Sequence, residues 1–199
     1  MNRSIDFFSR QFERQIAQAD YALNPFEMRA LPYLRGSVLD LGCGLGNLAF
    51  AAASRGADVV ALDACAEAID DLRARASAAG VRLQAETADL ECWRADRQFD
   101  CVVSIGLLMF LPCAAASNLL EELKRATRPG GLVVLNVLIE GTTYLEMFDP
   151  AGFCLFSADD VRARFRGWTV VEDVVEDFPA GNAQLKRFIT LIARRPAGE

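Results

Sequence analysis

Val38-Leu39-Asp40-Leu41-Gly42-Cys43-Gly44-Leu45-Gly46-Asn47, followed by Leu48-Ala49-Phe50, is the stretch on which the fold turns. An apolar run ends in a carboxylate, three glycines follow at alternate positions, and an alanine-rich helical pattern begins. That order reads as a buried parallel strand, a tight turn and a helix N-terminus. Glycine lacks a Cβ, so the turn can take positive φ and lie flat against a ligand. The free N–H groups at the helix start can then face that ligand's anionic end. Val59-Val60-Ala61-Leu62-Asp63 is a second apolar run ending in an acid. It places Asp63 about 20 residues after the first glycine, where a ribose-binding carboxylate belongs in a nucleotide fold. The glycine spacing, at 42, 44 and 46, differs from the G-x-G-x-x-G of dinucleotide sites.

Outward from this stretch, strands and helices alternate with short glycine-marked joints. Upstream, residues 4–19 read as an amphipathic helix capped by Ser4, with Ile5, Phe8, Phe12 and Ile16 at helical spacing. A second helix, capped at Asn24-Pro25, runs to about Leu34. These two form a helical extension over residues 1–35, either a lid across the site or packing on the sheet edge. Strands are expected at 37–40, 58–62, 82–86, 99–105 and 132–139. Helices are expected at 47–55, 66–79 and from the loop after Pro112 to about Thr127, and Arg128-Pro129-Gly130-Gly131 reads as a turn. After a mixed aromatic stretch, 140–156, a short helix opens at Ser157. Two further strands, 168–175 and 188–193, read as an antiparallel hairpin around 179–182. The expectation is one α/β domain spanning 1–199: three layers around a doubly wound, mostly parallel seven-stranded sheet, Rossmann-like, with an antiparallel C-terminal hairpin. Ligands of such sheets sit beyond the carboxyl ends of the strands. Asp40 to Gly46, Asp63, Asp89 and Ser104 all fall on that edge.

Composition narrows the function. Of 199 residues, 52% are apolar, which suits a packed core and excludes a disordered chain. The apolar runs are strand-sized, and the first residues lack a signal-peptide core, so a cytoplasmic location is expected. A net charge of −6, with Lys124 and Lys186 the two lysines, argues against nucleic acid or an acidic membrane and for a small-molecule substrate. A monomer or homodimer is expected. The six cysteines (43, 65, 92, 101, 113 and 154) show no C-x-x-C pair and read as small buried hydrophobes, without a disulfide framework. The sequence contains no histidine, which removes imidazole as a general base and leaves no metal site in prospect.

Asp40-Leu-Gly-Cys-Gly-Leu-Gly46 resembles motif I of class I S-adenosylmethionine (SAM) methyltransferases. The later half adds Phe99-Asp-Cys-Val-Val-Ser-Ile-Gly-Leu-Leu-Met-Phe-Leu111, Ala126-Thr-Arg-Pro-Gly-Gly131, Phe156-Ser157, Gly167-Trp168, and Gly181-Asn182 leading to Leu185 through Arg195. Over about residues 36–195 these segments resemble tellurite-resistance methyltransferases. The resemblance implies the methyltransferase fold, SAM as cofactor, and methylation of tellurite, selenite and similar small anions. It carries over Gly42, Gly44, Asp63, Asp89 and Ser104 as cofactor positions. The family's His-Arg pair before the final hairpin has no counterpart in Glu176-Asp177-Phe178-Pro179-Ala180.

Each part of SAM needs a different partner. The backbone of Gly42 to Gly46, with Asp40, Cys43 and Asn47, is expected beside the methionine portion. Asp63, followed by Ala64, can accept from both ribose hydroxyls. Asp89 can accept from the adenine amine while the Leu90 N–H donates to the ring. Ser104 and Ile105 end the fourth strand near the methyl, Ser104 serving either as a ligand contact or as a cap. Met109 and Phe110 are either the acceptor-pocket wall or plain core, with core favoured. Glu140, Tyr144 and Glu146 follow the fifth strand and are the candidate bases; Lys186 and Arg187 are candidate anion partners. The expected reaction is in-line methyl transfer to a small acceptor such as a chalcogen oxyanion, thiol or small acid. Two alternatives are a nicotinamide-dependent oxidoreductase and a non-catalytic SAM-binding or structural protein.

Overall fold

The computed structural model describes residues 3–150 and 152–198, with side chains from Phe7 onward. Ser4 and Ile5, expected as cap and first apolar position of the leading helix, therefore lie outside the described side chains. That helix, α1, spans Arg3–Gln18, and α2 spans Pro25–Ala30, extended by a 3-10 turn at Leu31–Tyr33. Asn24 caps α2 as its sequence demands. Its side-chain oxygen accepts from the N–H groups of Phe26 and Glu27, and the Glu27 carboxylate accepts from the Asn24 N–H at 2.8 Å, a reciprocal capping box.

Seven strands follow: β1 (Ser37–Leu41), β2 (Asp58–Asp63), β3 (Gln84–Thr87), β4 (Phe99–Ile105), β5 (Thr127–Leu138), β6 (Thr169–Pro179) and β7 (Leu185–Arg194). They form one sheet in the order β3-β2-β1-β4-β5-β7-β6. β1 to β5 are parallel, and β7 runs antiparallel to both β5 and β6. The order reverses between β1 and β4, the switch point beyond which such sheets hold ligands. Helices α3 (Asn47–Ser54), α4 (Ala66–Ala79), α5 (Cys113–Ala126) and α6 (Ala158–Arg164) complete the element order. Two clusters of buried residues cover the sheet's faces. One gathers Leu39, Val102, Val133 and Leu135 with α5, and the other gathers Val38, Val59, Val103 and Val134 with α3 and α4. Alternation along each strand sends neighbours to opposite faces, so a sheet buried on both sides needs near-continuous apolar runs. No helix among the described residues is long and apolar enough to cross a membrane.

Three expectations need correction. Arg128 to Gly131 do not form a free turn. β5 already pairs with Phe99 at Thr127, a bulge absorbs the next four residues, and pairing resumes at Cys101 with Leu132. There Arg195 donates its N–H to the Gly131 carbonyl at 2.8 Å, so the Pro-Gly-Gly segment is held by the far end of β7. β6 runs to Pro179, past Val175, because Asp177 and Phe178 still pair with Arg187 and Lys186. The cysteines are the third. Cys113, the first residue of α5, is bonded to Cys154, and Cys92 is exposed, so neither is a buried small hydrophobe. The Cys154 N–H donates to the Met109 carbonyl at 3.1 Å, which brings residues 41 apart in sequence within bonding reach.

Candidate functional site

A cavity of about 500 Å³ opens along the carboxyl ends of the strands. Its floor on one side comes from β1, β2 and β3: Asp40, the Gly42–Leu45 loop, Asp63, Ala64, Asp89 and Leu90. On the other side it rests on β4, β5 and β7 through Ile105, Asn136, Lys186 and Phe188. Phe8, Gln11, Phe12 and Gln15 of α1, with Asn24, Phe26 and Glu27 from the start of α2, complete the wall.

The glycine loop has the conformation its sequence requires. Gly44 sits at φ +55°, and a Cβ there would lie 3.1 Å from the Phe12 ring, so α1 rests directly on bare backbone. Asp63 ties this loop to the next one. Its two oxygens accept from the Gly44 N–H at 2.8 Å and the Cys65 N–H at 2.9 Å. Arg75 of α4 fastens the loop from behind: it bonds the Leu45 carbonyl, pairs with Asp71 at 2.7 Å and stacks on Tyr21.

Acceptors predominate at this end. Asp40 is 4% exposed, and among the described residues its carboxylate receives no hydrogen bond from the protein. Burial, with Glu27 and Asp63 nearby, lifts its pKa from 3.8 to about 8. Burial raises the pKa values of Asp63 and Glu27 as well, against hydrogen bonds that lower them. The side-chain oxygen of Asn47, at the start of α3, is buried without a partner. A cationic, N–H-bearing ligand head satisfies this set, and the ammonium of a bound amino acid has that chemistry. Cys43 is held as a neutral thiol, because burial and the adjacent Asp40 and Asp63 push its pKa well up.

The raised carboxyls make stability depend on pH. Unfolded Asp40 ionises near its ordinary value, 3.8, whereas folded Asp40 keeps its proton to about pH 8. Between those values the folded chain holds the extra proton, so stability falls as pH rises, by at most about 1.4 kcal/mol per pH unit for this group. Asp63 and Glu27 act in the same direction. Asp40→Asn is expected to flatten the decline of Tm between pH 5 and 8; an unchanged slope would show that Asp40 is already ionised when folded.

Ten of the eleven expected cofactor positions border the cavity: Asp40, Gly42, Cys43, Gly44, Asn47, Asp63, Ala64, Asp89, Leu90 and Ile105. Asp89 is exposed, and its Oδ1 accepts from the Glu91 N–H at 3.0 Å, an Asx turn that leaves Oδ2 free of intraprotein bonds among the described residues. Ser104 is the exception. Strand alternation turns it to the face opposite Ile105, where it is fully buried outside the lining with an unpartnered hydroxyl. Met109 and Phe110 are core and wall at once, 3% and 9% exposed. The candidate bases do not reach the cavity. After Ile139 the chain folds back along β7, with the N–H groups of Thr143 and Tyr144 on the Leu185 carbonyl, and this carries Glu140 and Glu146 to the exterior. The Tyr144 ring lies under Lys186 Nζ, 4.6 Å away. Arg187 is held by Asp177 through two 2.7 Å bonds, whereas Lys186 borders the cavity.

Glu27 and Asn136 were not singled out from the sequence. Glu27 reads as half of a capping box. Asn136 had a signal: it is the one polar residue inside Leu132-Val-Val-Leu-Asn-Val-Leu138. Among the described residues, no group of three or more His, Cys, Asp or Glu side chains is placed to hold a metal ion.

Residues 38–131 match the family model of a methyltransferase domain. An uncharacterized protein of Mycobacterium tuberculosis is 38% identical over 106 residues, covering 52% of this chain and 38% of the relative. A ubiquinone biosynthesis O-methyltransferase of Aeromonas salmonicida is 32% identical over 127 residues, covering 58% of this chain and 52% of the relative. The chain thus spans only about two fifths to one half of these relatives' lengths. In structure, TehB from Haemophilus influenzae superposes with a TM-score of 0.76 at 19% identity, over 96% of this chain and 67% of that one, which shows the fold. The matched methyltransferase domain is thus laid across β1 to the start of β5, and the C-terminal hairpin behind it completes the fold shared with that neighbour.

Proposed function

We propose that this chain is a SAM-dependent methyltransferase acting on a small molecule. The observation that carries the reading is that bare glycine backbone, an unpaired buried Asp40, the Asn47 oxygen and an apolar wall all border one cavity. Bound SAM would supply a methyl on a sulfonium, open to the acceptor's lone pair as the C–S pair returns to a sulfur that departs neutral.

The chain's own residues bind, orient and exclude water. Asp40, Asn47 and Glu27 would hold the ammonium of bound SAM, Asp63 would offer its remaining lone pairs to the ribose hydroxyls, and Asp89 with the Leu90 N–H would take the adenine edge. Phe8 of α1 packs edge-on against Phe110 with ring centroids 4.8 Å apart, and Phe12 covers the glycine loop. In this reading α1 is the lid, closing over a bound ligand and keeping the reacting end dry. No histidine is needed, because the leaving group requires no proton; an acceptor that enters protonated releases its proton to water. Chalcogen oxyanions, thiols and small acids are the acceptor classes the reading admits.

Asp63→Ala is expected to weaken SAM and S-adenosylhomocysteine (SAH) binding by about 1–3 kcal/mol, the range for a lost charged hydrogen bond. Titration calorimetry reads it directly. Wild-type affinity in the variant would place the ribose elsewhere, and no heat from either ligand at millimolar concentration with the wild-type chain would remove the proposal.

A further inference from the structure

We propose that the methyl acceptor is an amphipathic organic acid, with an aromatic body, a hydroxyl or thiol at its inner end and a carboxylate at its outer end; this rests on the methyltransferase reading above. The sheet order divides the cavity. β1, β2 and β3 carry the glycine loop, Asp63 and Asp89, whereas β4, β5 and β7 carry Ile105, Asn136, Phe188 and Lys186. Adjacent strands lie roughly 4.8 Å apart, so β7 stands about 19 Å from β2, beyond the adenosyl half.

Three features define the acceptor half. Asn136 lies at its inner end, 1% exposed. Its Nδ2 donates to Thr190 Oγ1 at 2.9 Å, while its Oδ1 is buried with no partner. A buried lone acceptor calls for a donor and disfavours an oxyanion. The walls are apolar and polarisable: Met109, Phe110, Met147, Phe26 and Phe188 line them, the last two with centroids 4.7 Å apart. Lys186 is the cation of this half. It shares the β7 face of Thr190 and Phe188, and strand rise sets its Cα about 13 Å from that of Thr190. Among the described residues its ammonium has no carboxylate within ion-pair distance, and only the Tyr144 ring lies beneath it.

A hydrated chalcogen oxyanion would find one lysine and an apolar wall in place of its water shell. An aromatic hydroxy or thiol acid satisfies every group: its O–H or S–H donates to Asn136 Oδ1, its ring lies between the Phe and Met side chains, and its carboxylate meets Lys186. The hydrogen bond to Asn136 points the proton away from the methyl and leaves a lone pair facing it. As that pair bonds to the methyl carbon, the C–S pair goes to sulfur and the acceptor's proton passes to water.

The test is calorimetry on the SAH-loaded chain with 3-(4-hydroxyphenyl)propionate, its methyl ester, its 4-methoxy analogue and sodium selenite. The hydroxy acid is expected to bind about tenfold or more tightly than either the ester or the methoxy acid, with selenite weaker still. Lys186→Met should erase the acid–ester ratio alone, and Asn136→Leu the hydroxyl–methoxy ratio alone, with SAH affinity kept in both. Ratios near one in the wild type, or selenite binding more tightly than the acid, overturn the proposal without any variant. Failure of SAH to bind would count against the methyltransferase reading only; the same panel titrated into the ligand-free chain still reads both ratios.

Discussion

Gly46→Val is expected to cost about 2–5 kcal/mol of folding stability, a large part of what a domain of this size possesses. The residue stands at φ +66°, a conformation costing an ordinary L-residue roughly 1–2 kcal/mol. A Cβ there would lie 2.3 Å from Leu72 Cδ2 and 3.0 Å from its Cγ, and Leu72 is fully buried in α4. Forcing volume into such a core adds roughly 1–3 kcal/mol. Gly56→Val separates the two contributions, because Gly56 has φ +91° and nothing within 4 Å of its Cβ position. Urea denaturation of both variants should show the Gly46 change costing clearly more. Equal losses would mean that Leu72 yields without cost and that the turn, not the packing, selects glycine.

Reduction of the Cys113–Cys154 bond is expected to lower stability by about 2–4 kcal/mol, the usual effect of releasing a loop of this length in the unfolded chain. Cys113 lies on the exterior, so a reductant can reach it. The bond also anchors the segment carrying Phe148 and Phe153, whose rings stack at 4.7 Å, with Phe148 packed on Phe110 at the cavity wall. Dithiothreitol should lower the Tm of the wild type and leave Cys113→Ala unmoved. A wild-type Tm indifferent to the reductant would show that the two sulfurs are not bonded in solution.

The parallel core was legible because its signals are local. An apolar run, an acid and a glycine turn report a strand and its end within ten residues, and α4 begins and ends where Asp63 and Gly80 place it. The cysteine bond was hidden because residues 41 apart carry no mark of meeting until β4, α5 and the return segment pack together. Ser104 shows the limit of edge reasoning: it ends the right strand, but period-two alternation hands the cavity to Ile105. Glu140 and Glu146 fail for the opposite reason, since their side chains follow a backbone that β7 draws away from the site. Glu27 satisfies a local rule so completely, as half of a capping box, that its second position beside Asp40 is visible only in three dimensions. Asn136 was detectable as a polar break in an apolar strand, yet its unpaired oxygen is a property of the folded sheet.

Because α1 precedes the sheet in the chain and rests on Gly44, Cys65 and Phe110, every one of these contacts is with a segment that follows it. It must wait for a surface assembled from later segments, so its docking is a late event on the way to the native state and the first to be undone. Its amides should exchange with deuterium well ahead of those in β1 and β4, and SAH should slow them selectively; exchange as slow as that of the central strands would show that α1 joins the core from the start.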